Sequence, residues 1–491
     1  MCQKVRTRFA PSPTGFMHVG NLRTALFEYL IAKSRGGDFI LRIEDTDRER
    51  YVEGAVDVIY RTLEQVGLRH DEGPDIGGPY GPYVQSRRRE IYRDYAERLV
   101  REGKAYDCFC TKERLDALHA DREEGGGYDR HCRDLPREEV ERLLAAGTPH
   151  VVRQKMPLEG STTFRDVVYG PITIENKELE DQILLKSDGY PTYNFANVID
   201  DHLMKITHVV RGCEYLTSTP KYKLLYEAFG WEVPVYVHLP LIMGKNPDGS
   251  VSKLSKRHGS TGFSDLVAEG YLPEAIVNYI ALLGWAPKDN REIFTLQELV
   301  ENFSIDGISK SPAVFDYDKL LWLNGEYLRA MSREEFVQRA MPYFRQVFPE
   351  GERPWGVLAD VLQPRVSRLT EIPPLLGFFR KLPEYPADDF INKKSKTNLE
   401  VSARMLGETV PVLREIQNWT ADSLREALTD LAKRLGVKNG TLLWPVRIAA
   451  AGQKVTPGGA FEILAVLGRD ESLRRLELGL KKLNGQGALK P

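Results

Sequence analysis

Hydrophobic and polar positions follow two different periods along the first hundred residues of the chain. Apolar or small side chains alternate with basic ones over residues 5–9, which is the period of a strand with one buried face. Residues 22–30 place apolar side chains three and four positions apart, as one face of a helix does, and residues 39–43 form a short apolar run typical of a buried strand. A strand, a helix and a second strand in this order predict a right-handed parallel crossover, the unit of a Rossmann-like sheet.

The pattern changes over residues 104–197, where short strands such as residues 171–174 accompany a cluster of cysteines. We interpret this part as an α+β insertion, because strand patterns return at residues 206–211 and 235–242 and would complete the first sheet. After about residue 263 the periodicity is mainly that of helices. The predicted fold class is therefore α/β, with a Rossmann-like domain that contains an α+β insertion and is followed by all-α C-terminal domains.

Composition is that of a soluble globular protein, because 42% of the 491 residues are hydrophobic and 28% are charged. No apolar run reaches the length of a membrane span, and the N-terminus lacks the apolar segment of a secretory signal, so we expect neither membrane association nor export. The five cysteines are an odd number with three close together, which favours a reducing compartment, the cytoplasm, over a disulfide framework.

Charge is nearly balanced over the whole chain, at −2, but not at its end. Residues 425–491 carry twelve Lys and Arg against six Asp and Glu. A basic terminal segment is typical of an RNA-binding surface, and equally of an ordinary solvated helical surface. Charge by itself leaves both interpretations open.

Two short motifs combine residue types that bind phosphate groups. The first covers residues 11–21, between the first predicted strand and helix, and contains His18 with a glycine two positions later. The glycine lets a nucleotide approach the backbone, the following helix N-terminus favours phosphate, and the imidazole is able to donate to a phosphate oxygen. The second motif covers residues 251–257, where Lys253 and Lys256 lie three positions apart beside serine. Each motif alone is more typical of a structural histidine or a solvated basic loop.

Together and in this order, the two motifs resemble the HIGH and KMSKS signatures of class I aminoacyl-tRNA synthetases. The wider sequence resembles the glutamyl branch of that class, of bacterial type, from about residue 4 to the C-terminus. The segments that carry this resemblance are residues 8–15, 42–47, 189–197, 200–202, 210–215, 315–320 and 322–324. One departure is Asn21, which stands where the HIGH signature has a second histidine, so that His18 is the only imidazole of the motif.

The resemblance implies an ATP site and a glutamate site. The ATP-binding residues that it implies are Ser12, His18, Gly20, Lys253, Ser255 and Lys256, of which His18, Lys253 and Lys256 would be catalytic, with Mg²⁺ accompanying ATP. The glutamate-binding residues that it implies are Arg8, Ser12, Glu44, Tyr193, Asn197 and Arg211. Residue chemistry agrees, because the substrate ammonium needs a carboxylate such as Glu44, whereas the substrate side chain needs the planar, permanently charged fork of Arg8 or Arg211.

The same resemblance implies the domain organisation and the reaction. Residues 1–103 and 198–262 would form the two halves of a Rossmann-like catalytic domain, 104–197 an acceptor-binding insertion, 263–330 a stem-contact domain and 331–491 a helical anticodon-binding domain. The expected activity is that of a glutamate-tRNA ligase, which forms glutamyl-adenylate from ATP and L-glutamate and transfers glutamate to the 3′ terminal adenosine of tRNA(Glu). We expect glutamate activation to depend on bound tRNA, and the protein to be a monomer.

Two other functions remain open at this point. Loops of the His-x-Gly type also serve other nucleotidyltransferases, which attach nucleotides to small molecules, but that function would leave the residues after Gly262 unexplained. A non-catalytic RNA-binding paralogue is the second alternative, and the intact histidine, lysines and arginine of the motifs argue against it.

Three cysteines close together, Cys108, Cys110 and Cys132, predict a structural zinc site in a chain from a reducing compartment. A closed zinc site takes four ligands, and only three thiols are present. The family resemblance implies Tyr128 as the fourth ligand, with His131 and Asp134 as alternatives. Buried or free thiols without a metal are the remaining interpretation.

Overall fold

The computed structural model describes residues 4–15, 17–47, 52–120 and 127–487, with the backbone alone at 119, 256, 486 and 487. The chain divides into two compact units, one of Met1–Val267 with Pro273–Tyr317 and one of Ala268–Leu272 with Asp318–Pro491. Each unit has its own buried core. None of the described helices combines the length and the apolar character needed to cross a membrane.

The described strands all belong to the first unit. They are β1 Arg6–Phe9, β2 Asp38–Leu41, β3 Ala105–Cys108, β4 Val151–Gln154, β5 Ser161–Asp166, β6 Gly170–Glu175, β7 Ile183–Leu185, β8 His208–Gly212, β9 Val235–Leu239, β10 Ile242–Lys245, β11 Val251–Lys253 and β12 Ala313–Phe315.

The helices begin in the first unit and make up the second almost entirely. They are α1 Val19–Lys33, α2 Ala55–Gln65, α3 Arg89–Arg101, α4 Lys112–Ala120, α5 Arg137–Ala145, α6 Tyr193–Leu203, α7 Thr219–Phe229, α8 Phe263–Ala268, α9 Pro273–Ala281, α10 Leu296–Asn302, α11 Tyr317–Ala330, α12 Arg333–Val347, α13 Trp355–Leu362, α14 Ile372–Arg380, α15 Leu399–Arg414, α16 Ala421–Arg434, α17 Asn439–Ala451, α18 Ala460–Leu467 and α19 Arg469–Gly487.

Parallel pairing of the predicted strands brings their carboxyl ends together. β1 pairs in parallel with β2, as the pattern over the first hundred residues predicts. β8 pairs in parallel with β9, in the larger sheet of order β6-β5-β9-β8. β1 and β2 form a sheet of their own, so the prediction that β8 and β9 complete the first sheet was wrong. The two sheets nevertheless adjoin, because the backbone N–H of Thr207, immediately before β8, donates to Arg6 O at 3.0 Å. The carboxyl ends of β1 and β8 carry Arg8 and Arg211, two of the predicted site residues.

The range predicted to be an insertion contributes to two sheets. Its β5–β6 hairpin is hydrogen-bonded to β9 in the larger sheet, where Asp166 Oδ2 accepts from the His238 backbone N–H at 3.0 Å and lies 2.7 Å from His238 Nδ1. Its remaining strands form a separate antiparallel sheet of order β3-β4-β7. Strand β3 of this antiparallel sheet ends at Cys108, one of the three clustered cysteines.

Helix α1 is buried on all sides rather than on one face. The predicted apolar positions such as Leu22 and Leu26 are buried, and so are Phe27 and Ile31 on the opposite side, because α1 packs between β1 and α9. Two charged residues of this helix, Arg23 and Glu28, are buried as well. Buried charges need partners, and both residues line the cavity described below.

The second unit is held together by a buried arginine as well as by apolar packing. Arg475 Nη1 donates to Phe378 O at 2.9 Å and to Ala450 O at 2.8 Å, and Nη2 donates to Phe379 O at 3.1 Å. These carbonyls lie in the last turns of α14 and α17, where no intrahelical donor is available and a positive charge is favourable. From residue 331 onwards the described elements are all helices, which confirms the predicted α/β fold class with an all-α ending.

Candidate active site

The loop that contains His18 ends at the N-terminus of α1. His18 precedes the first residue of this helix, and its Nδ1 accepts a hydrogen bond from the Gly20 backbone N–H at 3.1 Å. Burial, and then the positive charge of Lys253, lowers the pKa of His18 below its ordinary value. The ring is therefore neutral at pH 7 and carries its proton on Nε2, since Nδ1 is the acceptor. A neutral imidazole donor beside a helix N-terminus suits an anionic oxygen.

The second motif forms a hairpin that is bonded to the His18 loop. β10 and β11 pair antiparallel, and Lys253 is the last residue of β11. Beyond the hairpin, the Val19 backbone N–H donates to Thr261 O at 2.9 Å and the Phe263 N–H donates to Met17 O at 3.0 Å. The first motif is thus joined by backbone hydrogen bonds to the segment that follows the second motif.

A cavity opens between these motifs and the carboxyl ends of β1 and β8. Of the predicted site residues, its wall includes Arg8, His18, Gly20, Tyr193, Arg211 and Lys253. The predicted residues that do not line it are Ser12, Glu44, Asn197 and Ser255. The side chain of Lys256 lies outside the described residues. A cavity at the carboxyl ends of parallel strands is the usual place for a ligand in an open α/β sheet.

Arg8 is buried and already has carboxylate partners. Its Nε donates to Asp201 Oδ1 at 2.9 Å, and its Nη1 donates to Glu28 Oε1 at 3.2 Å. Burial alone would lower the pKa of Arg8, but the Asp201 carboxylate raises it above its ordinary value, so the guanidinium stays charged. Arg42 donates to Asp201 Oδ1 at 2.8 Å and to Glu44 Oε1 at 2.9 Å. Arg8 and Glu44 therefore belong to one buried ion network.

Arg211 is buried too, yet it has no carboxylate partner among the described residues. Its Nε and Nη1 atoms are buried without a hydrogen-bond partner. Its guanidinium lies over the rings of Tyr222, Tyr236 and Tyr215, at 4.4, 5.3 and 5.4 Å from the ring centroids. A buried charged donor left unsatisfied is costly, and a bound anion would remove that cost. Arg211 is thus the position in the cavity wall where a ligand carboxylate would gain most.

Tyr193, the first residue of α6, lies close enough to Arg211 and to Glu44 of the ion network to interact with both charges. Burial, and then the negative charge of Glu44, raises the pKa of Tyr193 well above its ordinary value, so that its hydroxyl stays protonated. Asn197, one turn later, is buried and donates its Nδ2 to Tyr193 O at 2.7 Å. Asn197 therefore stabilises the first turn of the helix that presents Tyr193 to the cavity.

A second candidate site lies in the insertion, where the Sγ atoms of Cys108, Cys110 and Cys132 are within 4.8 Å of one another. The Tyr128 hydroxyl lies 3.2 Å from Cys108 Sγ and 3.6 Å from Cys110 Sγ, and Cys110 Sγ and Cys132 Sγ are 3.6 Å apart. The hydrogen bond with Cys132 holds the pKa of Cys108 below its ordinary value, although burial opposes this. Three thiols and a hydroxyl in this arrangement are able to hold a metal ion.

Other contacts distinguish Tyr128 from the alternative ligands. The Cys132 backbone N–H donates to its hydroxyl at 3.1 Å, and the guanidinium of Arg153 lies over its ring at 3.9 Å, so the side chain is fixed in place. His131 and Asp134 are exposed, and neither belongs to the cluster that the cysteines form.

The chain is similar to known proteins over nearly its whole length. Residues 4–322 match the family "tRNA synthetases class I (E and Q), catalytic domain", and residues 335–480 match the family "anticodon binding domain". The glutamate–tRNA ligase of Clostridium kluyveri is 58% identical over 483 residues, which is 98% of each chain. That of Clostridium botulinum strain Hall is 57% identical over 486 residues, which is 98% of this chain and 99% of the relative.

Solved structures agree with this similarity. A glutamate tRNA ligase from Elizabethkingia meningosepticum, crystallised in complex with its amino acid, is 37% identical with a TM-score of 0.87, and the match covers 98% of this chain and 100% of that one. A second glutamate–tRNA synthetase structure, from Elizabethkingia anophelis, is 36% identical with a TM-score of 0.86, and the match again covers 98% of this chain and 100% of that one. The chain belongs to the glutamate–tRNA ligase family. The resemblance found in the motifs is thereby confirmed, and it extends through both units of the fold.

Some residues that shape the site of this member of the glutamate–tRNA ligase family were not predicted from the sequence. Glu28 and Asp201 hold Arg8, while Arg23 lines the cavity and donates Nη1 to Leu283 O at 3.1 Å. Burial lowers the pKa of Arg23 to about 10, which leaves it charged at pH 7. One signal was available in the sequence, since Arg23 and Glu28 are charged positions inside an otherwise apolar helix.

We predict that Lys253→Ala raises the pKa of His18. Removing the lysine charge removes one of the two causes that lower it, while burial keeps the pKa below that of an exposed histidine. Histidine ring resonances followed by NMR over a pH titration would measure the shift, with His18→Gln identifying the resonance. Lys245→Ala, at the far end of the same hairpin, is the control and should leave the titration unchanged. An unmoved His18 pKa in Lys253→Ala would show that the lysine does not approach the imidazole.

Proposed function

We propose that this chain is a glutamate-tRNA ligase, which activates L-glutamate with ATP and transfers it to the 3′ terminal adenosine of tRNA(Glu). The observation that carries the proposal is the unpaired guanidinium of Arg211 in a cavity that His18 and Lys253 also line. One wall of this cavity offers a receptor for a carboxylate, and the other offers donors for phosphate. Family membership supports the same activity.

Glutamate would be held by charge. Its side-chain carboxylate would pair with Arg211, with Tyr193 as a neutral hydroxyl donor and Arg8 as a second cation that Asp201 and Glu28 hold in place. Its ammonium would face Glu44, whose charge is close enough to Tyr193 to raise the pKa of that residue. Ser12 and Asn197 complete the glutamate site that we propose.

ATP would lie against the His18 loop and the hairpin that ends at Lys253. His18 would donate from Nε2 to a phosphate oxygen, the N-terminus of α1 at Gly20 would favour the phosphates, and Lys253 would offset the charge that develops on the leaving pyrophosphate. Ser12, Ser255 and Lys256 complete the proposed ATP site, and Mg²⁺ bound with ATP would supply further positive charge.

Glutamate activation needs no general base from the protein. The glutamate α-carboxylate is already ionised at pH 7, so it attacks the α-phosphorus in line and pyrophosphate leaves, with positioning and charge stabilisation as the protein's contribution. The ribose hydroxyl of the terminal adenosine then attacks the mixed anhydride and AMP leaves. We propose that tRNA binding precedes glutamate activation.

We propose the domain roles, the oligomeric state and the cellular location that the resemblance implies. Residues 1–103 and 198–262 form the catalytic domain, 104–197 the acceptor-binding insertion, 263–330 the stem-contact domain and 331–491 the anticodon-binding domain. The helical part is supported in this role by the match of residues 335–480 to the anticodon binding domain family. The protein acts as a monomer in the cytoplasm.

The metal that we propose for the cysteine cluster is a structural zinc ion. Zinc–sulfur bonds of about 2.3 Å in a tetrahedron place sulfur atoms about 3.8 Å apart, and the Cys110–Cys132 separation of 3.6 Å is close to that value. Cys108, Cys110 and Cys132 would supply thiolates, and Tyr128 would supply the fourth ligand. Four protein ligands leave no open position, so the ion would stabilise the insertion rather than contact a substrate.

Pyrophosphate exchange into ATP tests the function. We expect exchange that requires both glutamate and tRNA(Glu), with glutamine supporting far less, because the pocket distinguishes a carboxylate from an amide by charge. Arg211→Ala should lower kcat/KM for glutamate by roughly ten- to a hundredfold, the loss of one or two charge-assisted hydrogen bonds, and should narrow the preference over glutamine.

The control is Arg98→Ala, which removes an arginine of similar size from the exposed pair with Glu102 and should behave as wild type. An Arg211→Ala variant that keeps the wild-type preference would refute the assignment of the side-chain pocket. Exchange with a different small molecule in place of glutamate would point to another nucleotidyltransferase. No exchange at all would point to a non-catalytic RNA-binding paralogue.

Metal analysis of the purified protein tests the zinc proposal. We expect about one zinc ion per chain, and Cys132→Ser should lose it because a serine hydroxyl is a poor replacement for a thiolate ligand. Cys213→Ser is the matched control, because Cys213 lies outside the cluster and its replacement should leave the zinc content unchanged. Stoichiometric zinc in Cys132→Ser would show that the ligand set is wrong.

A further inference from the structure

His258 immediately follows the second motif but has no part in the function proposed above. Its Nε2 is 2.9 Å from Asn246 Oδ1 and 3.1 Å from Ser252 Oγ. Its Nδ1 is 3.0 Å from the Ser255 backbone nitrogen and 3.3 Å from Ser255 Oγ. One imidazole thus contacts the strands on both sides of the β10–β11 turn and the segment that follows Lys253.

The partners of Nε2 place a proton on that nitrogen. Asn246 Oδ1 is only an acceptor, and Asn246 Nδ2 is already used as a donor to Ser250 Oγ at 2.9 Å, so His258 Nε2 carries the proton. In the neutral ring, Nδ1 then has a free lone pair and accepts from the Ser255 backbone N–H. Nδ1 also lies 3.2 Å from the Ser255 carbonyl oxygen, so the ring contacts the backbone of Ser255 at both its N–H and its C=O.

The ring also packs against Gly244, in the middle of β10. A Cβ atom added at Gly244 would lie 2.5 Å from His258 Cγ and 2.7 Å from Nδ1, closer than real Cβ contacts. The backbone at Gly244 does not have the positive φ that strains other residues, so this crowding is the main obstacle to a side chain there. The ring therefore fits against the strand only because position 244 is glycine.

We propose that His258 is a positioning residue, which sets the backbone that presents Lys253 to the cavity. Ser252, before the lysine, and Ser255, after it, both contact the ring. Leu254 between them donates its backbone N–H to Ile242 O at 3.0 Å. The lysine therefore starts from a fixed backbone, and its long side chain has less freedom to lose when it meets a charged group.

This inference rests on the proposed function, because it predicts an effect on catalysis. A displaced Lys253 would stabilise the leaving pyrophosphate less well, while the glutamate pocket at Arg211 would be unchanged. We therefore expect His258→Ala and Gly244→Ala each to lower kcat for pyrophosphate exchange by roughly ten- to a hundredfold, with the KM for glutamate nearly unchanged. His258→Asn should restore part of the rate, because its amide oxygen is able to accept from the Ser255 N–H.

A double-mutant cycle separates positioning from general damage. Because Gly244→Ala acts by displacing the ring, it should cost far less rate in the His258→Ala background than in wild type. Gly407→Ala is the matched glycine control, since a Cβ there meets nothing within 4 Å, and it should keep the wild-type rate. Circular dichroism and thermal unfolding would establish that each variant is folded.

An independent measurement concerns the ring itself. Long-range ¹H–¹⁵N spectra of the wild-type histidines should show a proton on His258 Nε2, and an Nε2 without a proton would overturn the proposal. So would a wild-type kcat in Gly244→Ala, or additive losses in the double variant. Absence of glutamate-dependent exchange in the wild-type protein with tRNA would instead overturn the proposed function, while the NMR result would still decide the geometry of His258.

Discussion

The buried carboxylate of Asp201 is the interaction on which the rest of the site depends. Its Oδ1 accepts from Arg8 at 2.9 Å and from Arg42 at 2.8 Å, so one oxygen connects α6 to the strands that begin the chain. Burial would raise the pKa of Asp201, but the two guanidinium groups lower it below its ordinary value, and the group stays ionised. Removing one member of such a buried group typically costs about 3–5 kcal/mol, because the remaining charges lose their partner.

This network decides which cation is available to a ligand. Arg42 is shared between Asp201 and Glu44, and Arg8 between Asp201 and Glu28, so neither depends on a bound molecule for its partner. Arg211 lies on the neighbouring strand and is surrounded by tyrosine rings instead of carboxylates. Aromatic faces stabilise a cation in part but do not satisfy its N–H donors. Arg211 is thus a buried charge in the cavity wall that a bound anion would pair, and that arrangement favours a carboxylate over an amide of the same shape.

The sequence pattern predicted these helices and strands well, because the spacing of apolar residues that it records lies within each element. The alternation over residues 5–9, the helical spacing over 22–30 and the loop between them correspond to β1, α1 and the His18 loop. The pairing partners were not predictable in this way. Asp201 meets Arg8 across 193 positions of sequence, and the β5–β6 hairpin joins β9 although its range has the appearance of an insertion. Such contacts depend on how distant elements pack. Short spacing along the chain keeps Cys108 near Cys110 and Tyr128 near Cys132, whereas the contact between these two pairs required the fold.

The position of a bound glutamate tests the central claim most directly, namely that the guanidinium of Arg211 receives the substrate side chain. A crystal structure of the protein with L-glutamate would show it. The γ-carboxylate should lie within hydrogen-bond distance of the Arg211 guanidinium, with Arg8 still bonded to Asp201. A γ-carboxylate that lies elsewhere in the cavity while Arg211 remains without an anionic partner would contradict the account.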